Sequence, residues 1–396
     1  MMLIRSCFMH LSSQPDTPLQ RPTFARFTKL GLLGLGLLCG ANLPAFAQEA
    51  SSDFKVTGFV SVVGGKVVSG DKDGVSILSD KCPCYTADWG NAGVYRDNFS
   101  LKPESRAGIQ LNYKPTADLS LVGQIVVRGT DSTPNVQWAY GGYKLNKHWE
   151  LQLGRKRIPL YYYSDFQDIG LSYPWVSPPP ELYGWEVTNY NGGSLRYTDS
   201  FGDTNVSASF FGGAETVKDP RYLQLYYPNK SEVSWKSIVG GDVEISHGAL
   251  TVRGVYMNST ANTKVPDLSI NDSAKLSAFG LAMNLDLDQW FILSEFTQLE
   301  RKFNADGYSY KAPAMTIGAG VHLGDWTPFL NYAQYKESTS DETKYAPQSY
   351  KRLSLTLKYD IDASSAVKAQ IDRHTDITKN FGGNATVFRV SYDRVF

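Results

Sequence analysis

Cysteine, net charge and long apolar runs are all scarce in this 396-residue sequence. Only four cysteines occur, two of them (Cys7, Cys39) in the first 47 residues, which excludes a disulfide-stapled scaffold. Cys82-Pro83-Cys84 has no second pair or nearby histidine to support a metal site, so a loop-local disulfide is its plainest reading, with an intermolecular link or half of a soft-metal site as the alternatives. Lys plus Arg and Asp plus Glu are 39 each, so no positive field points to nucleic acid as a partner. Mean hydropathy is -0.29, which argues against a bundle of membrane helices. It says nothing against a barrel, whose strands alternate lipid-facing and lumen-facing residues. Signatures such as G-x-S-x-G or H-E-x-x-H are missing, and His374 between Asp372 and Asp376 is the single loose catalytic candidate. The reading is of a protein that is no enzyme and needs no cofactor.

The one sustained apolar run, Leu30 to Leu38, follows Arg21, Arg26 and Lys29 and precedes Ala45-Phe46-Ala47. It is well short of the roughly 20 residues of a membrane-spanning helix and has the flanks of a secretory signal. Residues 1–47 are therefore expected to be a cleaved signal peptide, with Met9 as an alternative start, and 48–396 the exported domain. Loss of Arg5, Arg21, Arg26, Lys29 and Asp16 would leave that domain slightly acidic.

Beyond Gln48 the pattern is period two, with no amphipathic helix of three turns. In Arg352 to Asp360 one face reads Leu353, Leu355, Leu357, Tyr359 and the other Arg352, Ser354, Thr356, Lys358, Asp360. Ser105 to Tyr113 and Leu119 to Arg128 repeat this. Sixteen such segments run from 54–68 to 384–396, the weakest being 192–199 and 203–213, so fourteen or eighteen strands remain open alternatives. Connections alternate short and long: turns such as Asn146-Lys147 and Gly324-Asp325 alternate with loops at about 69–104, 158–191 and 214–234. Such a chain is all-β, an antiparallel transmembrane β-barrel with short turns on one side and long loops on the other. Trp138, Tyr140, Trp326, Tyr359 and Tyr392 are expected to face lipid near the interfaces.

The final segment, Thr386 to Phe396, is an amphipathic strand ending on an aromatic residue. It resembles the C-terminal strand of Gram-negative outer-membrane proteins, although Arg394 stands where an apolar residue is usual. With the signal, the strand count and the long third loop, the whole exported chain resembles the general (trimeric) porin superfamily. The resemblance implies a cell outer-membrane location among lipid and lipopolysaccharide, and recognition of Phe396 by the barrel assembly machinery. It also implies a homotrimer, and a third loop folded into the lumen to narrow a water-filled channel for small hydrophilic solutes and ions.

That loop, Ile158 to Asn191, is rich in aromatics and stiffened by Pro174 and Pro178 to Pro180. Its acids Asp165, Asp168, Glu181 and Glu186, with Tyr162 and Trp175, are the candidate constriction residues, since charge and width set selectivity in a pore. Some of these acids would instead pair with Arg155 or Arg157 to hold the loop. Lumen-facing bases read from the alternation are Lys55, Arg106, Arg128, Lys156, Arg196, Arg253, Arg352, Lys358, Lys368 and Arg389. The acids on that face are Asp242, Glu244, Glu295, Asp360, Asp372 and Asp393. Arg106, Arg128 and Arg196, with Arg155 and Arg157 beside the loop, are the candidate basic wall of the pore. Loop aromatics could alternatively stack sugars or aromatic nutrients in a substrate-specific channel, or the barrel could be a non-conducting adhesin or receptor. Packing of those aromatics against the inner wall is the plainer reading.

Overall fold

The computed structural model describes residues 53–71, 82–131, 133–225, 229–379 and 382–396; the proposed signal segment lies outside them. Sixteen antiparallel strands follow one another around a closed ring. They are β1 Phe54–Gly70, β2 Arg106–Tyr113, β3 Leu119–Arg128, β4 Asn135–Lys144, β5 Trp149–Arg157, β6 Asn189–Phe201, β7 Thr204–Lys218 and β8 Glu232–His247. The second half comprises β9 Leu250–Val265, β10 Ile270–Leu287, β11 Trp290–Phe303, β12 Tyr308–Val321, β13 Trp326–Lys336, β14 Ser349–Asp362, β15 Ser365–Asp376 and β16 Ala385–Val395. A short extension, Ser338–Thr339, continues β13 along β12. Strand β1 closes the ring by pairing with β16 (Val63 opposite Ser391) and with β2 (Val60 opposite Ala107). Closure leaves no free sheet edge, the condition for a sheet in hydrocarbon.

Burial is inverted relative to a water-soluble protein. On β14, Leu355 is 54% exposed whereas Arg352 and Thr356 are at 0%. The apolar row faces outward and the polar row points into the barrel, where other protein groups cover it. Exposed Leu, Ile, Val and Phe side chains recur on the outside of nearly every strand, including Ile109, Leu121, Val243, Leu281, Ile317 and Ile371. An outward band of that kind is a lipid-facing surface. Leu355→Arg, at mid-strand, is therefore expected to destabilise the barrel by about 2–4 kcal/mol. A urea midpoint in lipid vesicles unchanged from wild type would contradict this.

The wall is uneven in height. Strands β2 to β5 have 8, 10, 10 and 9 residues, whereas β8, β9 and β10 have 16, 16 and 18. At about 3.4 Å per residue and about 40° of tilt, eight residues rise about 21 Å and eighteen about 47 Å. Part of the ring is thus a low wall.

A bulge corrects one expectation. Gln124 pairs with Trp138 and Ile125 with Val136, so the extra residue Gln137 exchanges the two faces of the strand beyond it. Trp138 and Tyr140 therefore turn toward the lumen, with Lys156 Nζ 5.3 Å from the Tyr140 ring centroid. Trp326 and Tyr359 keep the outward placement and pack at 4.6 Å between ring centroids.

Candidate pore constriction

The third loop, residues 158–188 between β5 and β6, enters the barrel and is buried over nearly its whole length. Its backbone conformation is short-range, two single turns of 3-10 helix at Ser164–Phe166 and Gly170–Ser172, so tertiary contacts must fix it. Those contacts come from all round the ring. Arg253 of β9 donates to the carbonyls of Tyr161 and Pro159, both at 2.9 Å. Glu295 of β11 accepts from the Tyr162 amide at 2.9 Å and the Tyr183 hydroxyl at 2.6 Å. On the far side, Lys368 of β15 donates to the carbonyls of Gly170 at 2.6 Å and Trp175 at 2.7 Å. Gly170 lies so close to Asp393 and Ser61 that a Cβ there would collide with both.

Two kinds of interior hold the loop. One is aromatic: Tyr162, Tyr163, Tyr173 and Trp175 pack on Ala282, Phe291, Leu293 and Phe329 of β10, β11 and β13. Trp175, 1% exposed, meets the Phe329 ring edge-on at 5.2 Å. The other is ionic: Arg352 of β14 bridges Glu181 at 3.0 Å and Asp372 at 2.7 Å, and Arg389 of β16 bridges Asp372 at 2.8 Å and Glu104 at 2.7 Å. All five groups are buried, a chain of alternating charge in which three acids flank two bases and every group touches one of opposite sign.

The candidate residues therefore divide. Asp168 is held by Arg128 at 2.8 Å and by Arg157, and its carbonyl accepts from Arg106 Nε at 2.8 Å. Glu181 is bound to Arg352 and Glu186 to Arg301. Arg155 is paired with Glu215 of β7. Asp168, Glu181, Glu186, Arg106, Arg128, Arg155 and Arg157 are thus structural ion-pair or hydrogen-bond partners, with their charges largely compensated. Tyr162 and Trp175 fill the aromatic interior. His374 lies between the rings of Tyr85 and Tyr350, at 5.7 and 5.5 Å.

Two of the candidates stand apart. Asp165 is exposed and has no hydrogen bond or ion pair among the described residues. It lies within electrostatic reach of Tyr140, Lys156, Tyr190, Asp242 and Arg253. Arg196 of β6, facing the lumen beside Lys156 and Asp242, likewise has no hydrogen bond or ion pair among the described residues. Lumen-facing groups that keep some exposure, including Tyr140, Glu150, Lys156, Arg196, Ser209 and Glu244, cluster on β4 to β8. The loop packs most heavily on β7 to β13 and is bonded to β14 and β15 and, through Asp168, to β2, β3 and β5. The exposed polar groups of β4 to β8 and the exposed Asp165 of the loop thus share one part of the lumen, with Lys156 and Arg253 within electrostatic reach of Asp165.

Sequence reasoning missed Arg301 and Glu150 as lumen-facing groups. Two-residue steps from Glu295 through Thr297 and Leu299 reach Arg301, and a step back from Gln152 reaches Glu150. In the long connection between β1 and β2, Cys82 and Cys84 are joined by a disulfide, and Arg96 Nη1 lies 3.3 Å from Cys84 Sγ.

No family model and no curated protein sequence matches the chain. Solved structures do. The outer membrane channel DcaP of Acinetobacter baumannii aligns with a TM-score of 0.56 at 12% identity, over 87% of this chain and 97% of that one. The fold is that of a porin-like barrel. An anion-selective porin from Comamonas acidovorans aligns at 0.55 and 15% identity, over 87% and 99% of the two chains. OmpF of Salmonella typhi, in complex with daunomycin, aligns at 0.55 and 14%, over 87% and 97%. A trimer form of OmpT, an outer membrane protein of Vibrio cholerae, aligns at 0.52 and 12%, over 87% and 99%.

Proposed function

We propose that this porin-like barrel is an outer-membrane channel for passive diffusion of small hydrophilic solutes and ions, without covalent chemistry. The observation that carries this reading is the division of the lumen. Compensated ion pairs and aromatics tether the third loop across the lumen, and Asp165, with no ion pair among the described residues, lies within electrostatic reach of Lys156 and Arg253, with Arg196 beside Lys156. Opposed charges across a narrow aqueous path favour solutes with mobile dipoles and disfavour apolar ones. Burial of Tyr162, Tyr163, Tyr173 and Trp175 supports sieving plus electrostatics over stacking of nutrients on these rings.

Residues 1–47 act as the signal that exports the chain. Assembly as a homotrimer fits the low wall of β2 to β5, which rises little beyond the apolar band of about 25 Å and is apolar at Ile109, Leu111, Leu121 and Ile125. The trimeric OmpT relative supports the same stoichiometry.

Planar-bilayer recording from refolded protein tests the reading. Ohmic current steps that close in groups of three are expected. Folded protein that adds no current would reject the channel reading and favour a surface adhesin or receptor.

A further inference from the structure

A cavity lies apart from the aromatic interior. About 480 Å³ in volume and open on one side, it is lined by the loop-side ends of β3 to β7, the third loop, Gly90 and Asn91, and the segment around the short helix Arg221–Gln224. Most of its charged lining is compensated: Arg155 pairs with Glu215, Arg128 and Arg221 approach Asp131 at 3.8 and 3.7 Å, and Glu186 pairs with Arg301, while Lys218 and Asp219, exposed and adjacent, add opposite charges that cancel in sum. An incoming ion would meet little net field and would compete with an existing partner. Between these pairs stand neutral hydrogen-bonding side chains, Asn135, Gln137, Gln167 and Asn189. Gln137 is 6% exposed, and its Oε1 is buried without a hydrogen-bond partner. Trp185 adds an indole to the lining and carries the Arg301 guanidinium 5.2 Å from its ring.

We propose that this cavity is a binding site for a neutral saccharide of one or two rings. Hydroxyl groups both donate and accept, so they can use the amides and the outer oxygens and nitrogens of the ion pairs without breaking them. The apolar face of a sugar ring matches the indole of Trp185, and the volume lies within the about 300–1,000 Å³ of small-molecule sites. Gln167, two residues beyond Asp165, links the site to the throat. The inference rests on the channel reading for a role in uptake, but its binding step is measurable without conduction.

Titration calorimetry of the full, detergent-folded chain with sucrose, and separately with the disaccharide acid lactobionate, tests the proposal. Saturable sucrose binding is expected, with lactobionate at least about tenfold weaker. Trp185→Ala and Gln137→Leu should each weaken sucrose binding about tenfold, and Trp185→Phe should retain most of it. Heat-modifiable gel mobility checks that each variant folds. If the variants fail to fold, the wild-type contrast between the two probes still decides. No saturable sucrose heat, or lactobionate binding as tightly as sucrose, would overturn the site. Sucrose binding without bilayer current would instead remove the channel reading and leave the site standing.

Discussion

Replacing Arg352 with methionine is expected to cost the barrel about 3–5 kcal/mol and to enlarge its open-channel conductance. Arg352 is buried between Glu181 on the third loop and Asp372 on the wall. Removing the cation leaves Glu181 without its partner and Asp372 with Arg389 alone, in a region without water access. An uncompensated buried charge is costly because desolvation is no longer offset by Coulomb attraction. Glu181 would relieve that cost by drawing its end of the loop out of the interior, and the throat would widen. The urea midpoint of heat-modifiable mobility measures the first effect and single-channel conductance the second. A double variant, Arg352→Met with Glu181→Gln, should recover part of the stability because it removes the orphaned carboxylate. An unchanged midpoint in Arg352→Met would show that this network does not anchor the loop.

Asp165→Lys is expected to shift the pore strongly toward anions while leaving stability nearly unchanged. Asp165 is exposed and makes no ion pair among the described residues, so its replacement orphans no partner. The substitution changes the local charge by two units. At about 8 Å and a dielectric of about 80, that changes the energy of a permeating monovalent ion by about 1 kcal/mol, favourably for chloride and unfavourably for potassium. Screening reduces the effect at high salt, but the potassium-to-chloride permeability ratio should still fall at least about threefold at low ionic strength. The reversal potential across a potassium chloride gradient reports it directly. A reversal potential identical to wild type would place the throat elsewhere. The same substitution at Asp168 should behave differently, because Arg128 and Arg157 would then lose their shared carboxylate and the loop its tether.

Much of this was legible in the chain. The alternation in Arg352 to Asp360 placed Leu353, Leu355 and Leu357 outside and Arg352, Ser354 and Thr356 inside, as observed, because a strand's side chains have no third direction to take. The weak segments at 192–199 and 203–213 are full strands, β6 and β7, whose glycines at 192, 193, 212 and 213 dilute the pattern. The long strands extend further than the alternation suggested: β9 runs to Val265 and β10 starts at Ile270, where polar residues flank the strand core. Trp138 and Tyr140 were misplaced because one extra residue in a strand exchanges its faces, and nothing in the local sequence marks Gln137 as that residue.

Within the third loop the limit was sharper. Its aromatic content and prolines pointed to a buried segment, yet four acids, Asp165, Asp168, Glu181 and Glu186, looked alike. They differ because the closed ring brings Arg352, Arg301 and Arg128, from strands apart in sequence, to three of them, joined by Arg157 at the loop's entry as the sequence allowed, and leaves the fourth exposed without an ion pair among the described residues. Period-two chemistry and turn residues by themselves determined a closed sheet with an oily outside and a polar inside. Which charges cancel and which remain free was decided only by tertiary structure, since pairing depends on distances across the lumen that no local pattern encodes.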